Sequence, residues 1–406
     1  MSKLFSETEI VTTPFYATRN AGLKPDYQEV LDQADHFAKN ELLPLLPRMD
    51  DEEWWPPHLF PLLGENGYIG VTAPSELGGA GMDFFSQGLV HQAFSRYNAG
   101  ASLSVLAHDN LCVNNILRNA SPALQTKYLP RLIKGTHVGA LGLTEPGAGS
   151  DALGSMSTTA RREGDHYVLN GTKIFITNGP IADVLLVYAK TAPERGAHGI
   201  SAFIVEKNFP GFSVAQKLTK MGLRGSPTGE LLFENCRVPA ANLVGEENSG
   251  VAITMSGLDI ERCVLAFACL GLAERALELA IDYARTRKQF KRVIGEFQMV
   301  QKMIADMYTS IEALRSLTYQ VAAELNELET GGGGRGEVHK RSAALALLAG
   351  QTAMSCADQS VQIHGGTGFM WETEINRIYR GAKLYEIGAG TNEVRRMIIA
   401  RELLGV

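Results

Sequence analysis

Thr158–Thr177, TTARREGDHYVLNGTKIFIT, is the stretch that decides how the chain is folded. Apolar or β-branched residues alternate with polar ones along much of it, a period of two that suits a strand with one buried face. Asn170-Gly171 in its middle is a good signal for a hairpin turn between two strands. Similar short runs follow: DVLLVYAK from Asp183, ISAFIVEK from Ile200, FSVAQK from Phe212 and GELLFENCRVP from Gly229. Gly, Asn, Pro and Asp separate them at about the interval of an all-β unit. This texture begins at Gly139 and ends near Leu243.

On either side the pattern is helical. LDQADHFAKNELLPLL, Leu31–Leu46, reads as a helix that Pro44 and Pro47 end. Trp54–Pro61 reads as a turn leading into a short helix, and Tyr68–Gly81 as a loop. Helices are expected over Phe84–Asn98, Ala101–Asn119 and Pro122–Ile133. Beyond Gly250 they are long and amphipathic: Val251–Arg285, Gly295–Leu328, Glu337–Gln362 and Arg380–Leu404. GGGGRG at Gly331–Gly336 is a flexible link; without a Lys-Ser/Thr ending it is no phosphate loop. The order is helices, strands, helices, with no repeat and no βαβ alternation. This is an α+β multidomain chain, divided at about 1–138, 139–248 and 249–406.

The bulk numbers exclude several classes. A chain of 406 residues with 45% hydrophobic and 20% charged residues is an ordinary globular composition. The net charge of −6 and pI near 5.9 argue against nucleic acid or an anionic membrane as partner. No apolar run approaches the ~20 residues that span a bilayer. MSKLFSETEIVTTPF has no signal-peptide core and carries acids that transit peptides avoid. The cytoplasm is therefore the expected compartment, or the mitochondrial matrix if an import sequence has been removed. Cys112, Cys236, Cys263, Cys269 and Cys356 form no CxxC and no metal spacing, so reduced, buried thiols and no metal are expected.

One carboxylate stands apart. In GLDIERCVLAFACLGLA, Gly257–Ala273, Glu261 shares a helical side with Leu258, Val264, Leu265, Ala268 and Leu272. Asp259 and Arg262, three apart, can pair on another face. Two readings fit Glu261. It is an acid at a helix seam tied up by an arginine or water, or a general base in a dry pocket with its pKa raised by desolvation. The loop TEPGAGSDA, Thr144–Ala152, is also notable. It lacks the third glycine and the strand–helix setting of a dinucleotide fingerprint. A small-residue loop bearing Thr144 and Ser150 still lets backbone N–H groups approach a ligand closely; alone, it reads as an interdomain turn.

Taken together, LTEPGAGSD at Leu143, NGTKIFITNG at Asn170, KMGLRGSPTGELLFENCRVP at Lys220, TRKQF at Thr286, FQMVQ at Phe297, QIHGGTGF at Gln362 and YRGAKLYEIGAGTNEVRR at Tyr379 resemble the acyl-CoA dehydrogenase flavoproteins. The resemblance runs from about Gln28 to Leu404. It implies an α-helical N-terminal domain, a central β-barrel and a C-terminal four-helix bundle, with FAD as cofactor. It also implies an electron-transferring flavoprotein as acceptor and a homotetramer. Family members usually carry the catalytic glutamate in a Tyr-Glu-Gly-Thr sequence, where this chain has Gly388-Ala389-Gly390-Thr391. The isovaleryl-CoA and long-chain branches place the base instead in the helix matching GLDIERCVLA, and Glu261 stands at that position. The small Gly388-Ala389 pair leaves room beside the acyl β-carbon for a short branched chain. AHDNLCVN at Ala107 fits the same branch.

Carried over residue by residue, the resemblance puts Leu143, Thr144, Gly149 and Ser150 against the flavin, with Phe175 and Thr177 covering its ring. Arg287, Phe290 and Gln298 fall at the pyrophosphate and adenine end, commonly supplied by a neighbouring subunit. Gln362, Gly365 and Gly366 lie by the pyrophosphate, and Thr391 and Glu393 complete the FAD site. Ser150, Asp259, Arg262, Gly388, Ala389 and Gly390 fall on the substrate side, with the Ala389 N–H as a donor to the thioester oxygen. Two departures stand out. Arg380-Gly381-Ala382-Lys383 lacks the aspartate usual after the arginine, and Met370-Trp371 adds bulk near the flavin end.

Overall fold

The structure, a computed structural model, describes residues 23–327 and 336–405. MSKLFSETEIVTTPF and most of the GGGGRG link lie outside the described residues.

Helix α1 (Pro25–Phe37) does not stop at the prolines. It runs through a π turn, Ala38–Leu42, and a 3-10 turn, Leu43–Leu45, into α2 (Leu46–Asp51). Pro44 and Pro47 each stand in the first two positions of their segments, where a missing N–H breaks no helical bond. Then come α3 (Leu59–Glu65), α4 (Phe84–Leu106), α5 (Asn114–Asn119) and α6 (Pro122–Ile133). The expected break after residue 98 is a kink inside α4. Asn98 sits at φ −153°, ψ 85°, its Oδ1 accepting from the Ala101 N–H at 3.1 Å. A π turn, Ala107–Val113, joins α4 to α5.

The strands are β1 (Gly139–Gly142), β2 (Thr159–Glu163), β3 (His166–Thr177), β4 (Val184–Lys190), β5 (Ile200–Glu206), β6 (Phe212–Lys217), β7 (Thr228–Pro239) and β8 (Leu243–Val244). They form one mixed sheet in the order β6-β7-β3-β2-β4-β5-β8, with β1 parallel to β4. The hairpin turn lies at Gly164-Asp165, where Glu163 pairs His166 and Gly164 takes φ +63°. Asn170-Gly171 instead marks a bulge in an unbroken β3, at the register shift between Leu169 and Gly171 against β7. A Cβ on Gly171 would meet the Thr158 Oγ1 at 2.4 Å. We therefore expect Gly171→Ala to cost about 1–3 kcal/mol in denaturant unfolding, the usual range for overpacking; an unchanged midpoint would contradict the bulge.

The expected closed barrel is corrected by the same topology. β6 and β8 end the path without pairing to each other, and β2 meets β4 at the single parallel pair Thr159–Lys190. Folding over at that thin junction suffices to bury the inner face. Leu169 and Phe233 from one half share a cluster with Leu185 and Phe203 from the other, so hydrophobic burial does not require ring closure.

The C-terminal part contains α7 (Gly250–Thr286), a small hairpin of β9 (Lys288–Gln289) and β10 (Arg292–Val293), α8 (Gln298–Asn326), α9 (Gly336–His364), α10 (Gly366–Phe369), α11 (Glu374–Ala382) and α12 (Asn392–Leu404). α7, α8 and α9 pack mutually, and α12 lies against α9. The single helix expected over Arg380–Leu404 is split, because Ala389 at φ +56° and Gly390 at φ +89° cannot continue a right-handed helix. At 37 residues α7 is about 55 Å long. It crosses α4 at glycines: a Cβ on Gly88 would strike the Phe267 ring, and one on Gly271 the Gln92 carbonyl oxygen. Buried polar ties pin the crossing, Gln92 Nε2 donating to Glu274 at 2.8 Å and Arg96 pairing with Glu278. Arg380, with Gly381 rather than an acid beside it, takes Asp50 as partner at 2.5 Å and lies 4.0 Å from the Trp371 ring centre. All five cysteines are free and buried.

Candidate active site

Glu261 lies in the first half of α7, 8% exposed, among Ile260, Val264 and Leu265. No hydrogen bond or ion pair reaches its carboxylate among the described residues. Burial drives its pKa up to about 7, against the pull of the Arg262 and Arg395 guanidinium groups. Asp259 and Arg262 pair as their spacing suggests, at 3.1 Å, and the same Asp259 oxygen lies 2.8 Å from the His339 Nδ1 of α9. That network ties Asp259, Arg262 and His339 to one another and leaves Glu261 outside it.

The turn between α11 and α12 is linked to it through Arg395, whose charge acts on the Glu261 carboxyl. The Ile387 and Gly388 N–H groups both return to the Leu384 carbonyl, at 2.9 and 2.8 Å. The Ala389 N–H has no acceptor among the described residues. Thr391 caps α12, its Oγ1 accepting from the Val394 N–H at 3.3 Å, and Glu393 is exposed in the first turn. Arg395, one turn further, is fully buried and donates to the Gly388 carbonyl at 2.7 Å and the Tyr385 carbonyl at 2.8 Å.

On the sheet, the loop Leu143–Ser150 leaves β1 beside β4. Tyr188 of β4 shares a cluster with Leu143 and Ile253, and its hydroxyl feels the Glu261 charge. The loop is fastened to β3: the Ile174 N–H donates to the Thr144 carbonyl at 2.9 Å, and Lys173 Nζ to the Leu143 carbonyl at 3.0 Å. Lys173 also pairs with Glu145 at 2.8 Å, both side chains almost wholly buried. Burial would raise the Glu145 carboxyl; the Lys173 ammonium and the donors of Ser157 and Thr158 prevail and bring it down to about 2. Phe175 sits at a second bulge, between Lys173 and Ile176, at φ +60°, and the residue is 65% exposed. A bulky residue held in that region and aimed at solvent is a mark of function. Thr177 pairs with Thr228 at the end of β3.

The remaining expected residues lie elsewhere on the chain. Arg287, Phe290 and Gln298 are exposed where α7 gives way to α8, Phe290 at φ +51°. Gln362, Gly365 and Gly366 sit at the same end, tied there by the Tyr283 ring stacked on His364 at 4.4 Å. Arg287 is 26 residues beyond Glu261, about 39 Å along the helix. Glu261 is thus linked by charge to Arg395, which holds the Gly388 carbonyl, and to Tyr188, which shares a cluster with Leu143, whereas the Arg287 and Gln362 groups lie at the far end of α7.

The glycines test whether a flavin nucleotide fits. A Cβ on Gly147, Gly149, Gly365 or Gly366 would meet nothing within 4 Å. Gly365 is set by its own backbone at φ +58°; beside Gly147, Gly149 and Gly366 the space is open enough for a flat cofactor to approach the backbone. Among the described residues the Gly149 and Ser150 N–H groups have no acceptor, which suits the polar edge of such a group, and the exposed Arg287 guanidinium at the other end of α7 suits a phosphate. Sequence reading missed Arg395, His339 and the Lys173–Glu145 pair. Only Lys173 had a signal, a charge at an inward position of a strand.

Profiles described as the N-terminal, middle and C-terminal domains of acyl-CoA dehydrogenase match residues 24–136, 140–236 and 248–404. The mitochondrial isovaleryl-CoA dehydrogenase of Oryza sativa subsp. japonica is 45% identical, covering 96% of this chain and 94% of the rice protein. The mitochondrial 2-methylacyl-CoA dehydrogenase of Solanum tuberosum is 44% identical over 90% of this chain and 88% of its own. A chain solved in work on the electron transferring flavoprotein of Acidaminococcus fermentans superposes with a TM-score of 0.90 at 41% identity, covering 95% of this chain and 99% of that one.

Proposed function

The chain belongs to the acyl-CoA dehydrogenase family, an FAD-dependent oxidoreductase acting on acyl-CoA thioesters, and we propose that it desaturates a short branched-chain acyl-CoA of the isovaleryl type. The observation that carries this is an isolated buried carboxylate, Glu261, together with a small stretch, Ile387–Thr391, that carries no acid and whose Ala389 N–H has no acceptor among the described residues.

Bound FAD supplies the acceptor for the hydride leaving the β-carbon. Glu261 takes the α-proton; its raised pKa lets it act near neutral pH without losing driving force. The negative charge that develops on the thioester oxygen needs a fixed donor, and the Ala389 N–H fills that role through the backbone. Phe175 and Thr177, with Leu143, Thr144, Gly149 and Ser150, hold the ring end of the cofactor. Thr391 and Glu393 close the site, and Asp259 and Arg262 stand toward the CoA side. Arg287, Phe290, Gln298, Gln362, Gly365 and Gly366 are too distant to grip the same nucleotide, so they serve a neighbouring copy in a homotetramer. The apolar groove between Leu277, Ile281, Ile304 and Tyr308 on α7 and α8 supports such an assembly. The acceptor is an electron-transferring flavoprotein, and the three domains divide at about 138 and 248.

Acyl specificity favours a branched four- or five-carbon chain, because Gly388 and Ala389 leave width rather than length. The test is a panel of thioesters with an artificial acceptor. Isovaleryl-CoA should exceed octanoyl-CoA by at least about tenfold in kcat/KM, the scale on which a pocket sorts methylenes. Faster turnover of octanoyl- or citronellyl-CoA would favour the longer, cyclic or terpenoid acyl-CoA reading instead.

A further inference from the structure

Arg395 presents a problem in electrostatics. Its side chain is wholly buried, yet no carboxylate lies within ion-pair distance among the described residues. Other buried arginines here have acids: Arg96 has Glu278 and Arg380 has Asp50. Uncompensated burial of a cation is expensive, so it needs a reason. Arg395 uses its N–H groups on backbone oxygens, Tyr385 at 2.8 Å, Gly388 at 2.7 Å and Ala346 at 3.1 Å, and on the Asn392 Oδ1 at 3.0 Å. Its Nε is left without an acceptor.

Two of those three carbonyls lie in the stretch that leads into Ala389, Gly388 being its immediate neighbour, and the third belongs to α9. We propose that Arg395 is a positioning residue for the dehydrogenation, clamping the 385–388 turn so that the Ala389 N–H faces the thioester while its charge stands behind the base. The inference rests on Glu261 being that base. Both halves follow from elementary physics. A guanidinium bridging several carbonyls fixes a turn that glycine would otherwise leave loose. A cation in a dry surrounding also acts on a neighbouring carboxylate with little screening.

The charged and titratable groups around Glu261 can be enumerated by element. Asp259, Arg262 and Cys269 are on α7, His339 on α9 is engaged with Asp259, Tyr188 is on β4, and Arg395 on α12 also feels Glu386 from the turn before it. Burial raises the Glu261 carboxyl, and Arg262 and Arg395 hold it down to about 7. Removing Arg395 should therefore raise it further and leave less ionised base at neutral pH.

The test follows flavin bleaching by isovaleryl-CoA against pH in FAD-loaded wild type, Arg395→Gln, Arg395→Lys and Glu261→Gln. Arg395→Gln should slow bleaching at least tenfold at pH 7 and move the acid limb upward by about one unit, at the low end of what a nearby opposite charge does to a carboxylate. Arg395→Lys keeps the charge but cannot bridge the carbonyls, so bleaching should slow while the limb stays in place. An FAD-loaded Arg395→Gln enzyme with an unmoved limb would overturn the proposal. If that variant does not hold FAD, the lysine variant decides: slow bleaching at an unmoved limb supports the clamp, and wild-type speed or a displaced limb refutes it. A Glu261→Gln enzyme that still bleaches normally would sink the base assignment itself, whatever Arg395 does.

Discussion

Replacing Glu261 by glutamine should leave a folded protein that binds FAD and bleaches it on the order of a thousandfold more slowly with acyl-CoA, within the range a positioned general base contributes. The wild-type rate should rise with pH along a limb centred near 7, where burial has placed the carboxyl, and the variant should lose that limb. The same shift has an opposite effect on stability. A carboxyl raised from 4.5 to about 7 binds its proton more tightly folded than unfolded. Its stabilising contribution is complete below pH 4.5 and is lost as pH rises through 7. Above that pH the ionised group is a liability of about 3 kcal/mol, taking 1.36 kcal/mol per unit. Glu261→Gln should therefore be more stable than wild type at pH 8 while almost inactive, a trade seen wherever a site keeps a destabilised group for use. Equal stability at pH 8 would mean that the carboxylate is solvated, and the base would have to be sought elsewhere.

The second large effect belongs to Lys173→Met. Methionine replaces the stem of the lysine but not its ammonium, which Glu145 and the Leu143 carbonyl both use. Breaking a buried pair from one side strands the other charge, at about 3–5 kcal/mol. Denaturant unfolding measures that loss directly. Because Lys173 fastens the loop that bears Thr144, Gly149 and Ser150, the variant should also release FAD on gel filtration. Its pH dependence has a definite sign. The stability that Glu145 contributes is present above its ordinary value near 4.5 and is lost as pH falls toward 2. Wild type should weaken through that window, and Lys173→Met should weaken much less. A variant that unfolds at the wild-type midpoint with its flavin in place would remove the pair from any structural account.

The legible parts of this molecule are those where one local signal dominates. Hydrophobic periodicity located the long helices, and the change of period at Gly139 located the sheet. The oily neighbours of Glu261 mark it without reference to any family, and the spacing of Asp259 and Arg262 matches their pairing. Sequence failed where a local preference has two structural outlets. Asn-Gly favours positive φ, which serves a turn or a bulge, and the register of β3 against β7 chose the bulge. Pro44 and Pro47 can end a helix or begin a new pitch, and the core beneath α1 and α2 chose the latter. Barrel closure depends on how the first and last strands meet, which no stretch of sequence encodes alone. Arg395 escaped notice because Arg395-Arg396 looks like a solvated basic pair; only the packing of α12 on α9 turns one of the two inward.

The five cysteines have a practical consequence. None is within reach of solvent, and burial pushes the thiols of Cys112, Cys236 and Cys356 up to about 12 and those of Cys263 and Cys269 higher still. Since alkylation requires the thiolate, the intact fold is chemically silent toward maleimides and iodoacetamide. Any labelling therefore timestamps an opening event, and the position labelled tells which layer came apart: Cys236 for the sheet, Cys112 for the helix–sheet seam, and Cys263, Cys269 or Cys356 for the helical core.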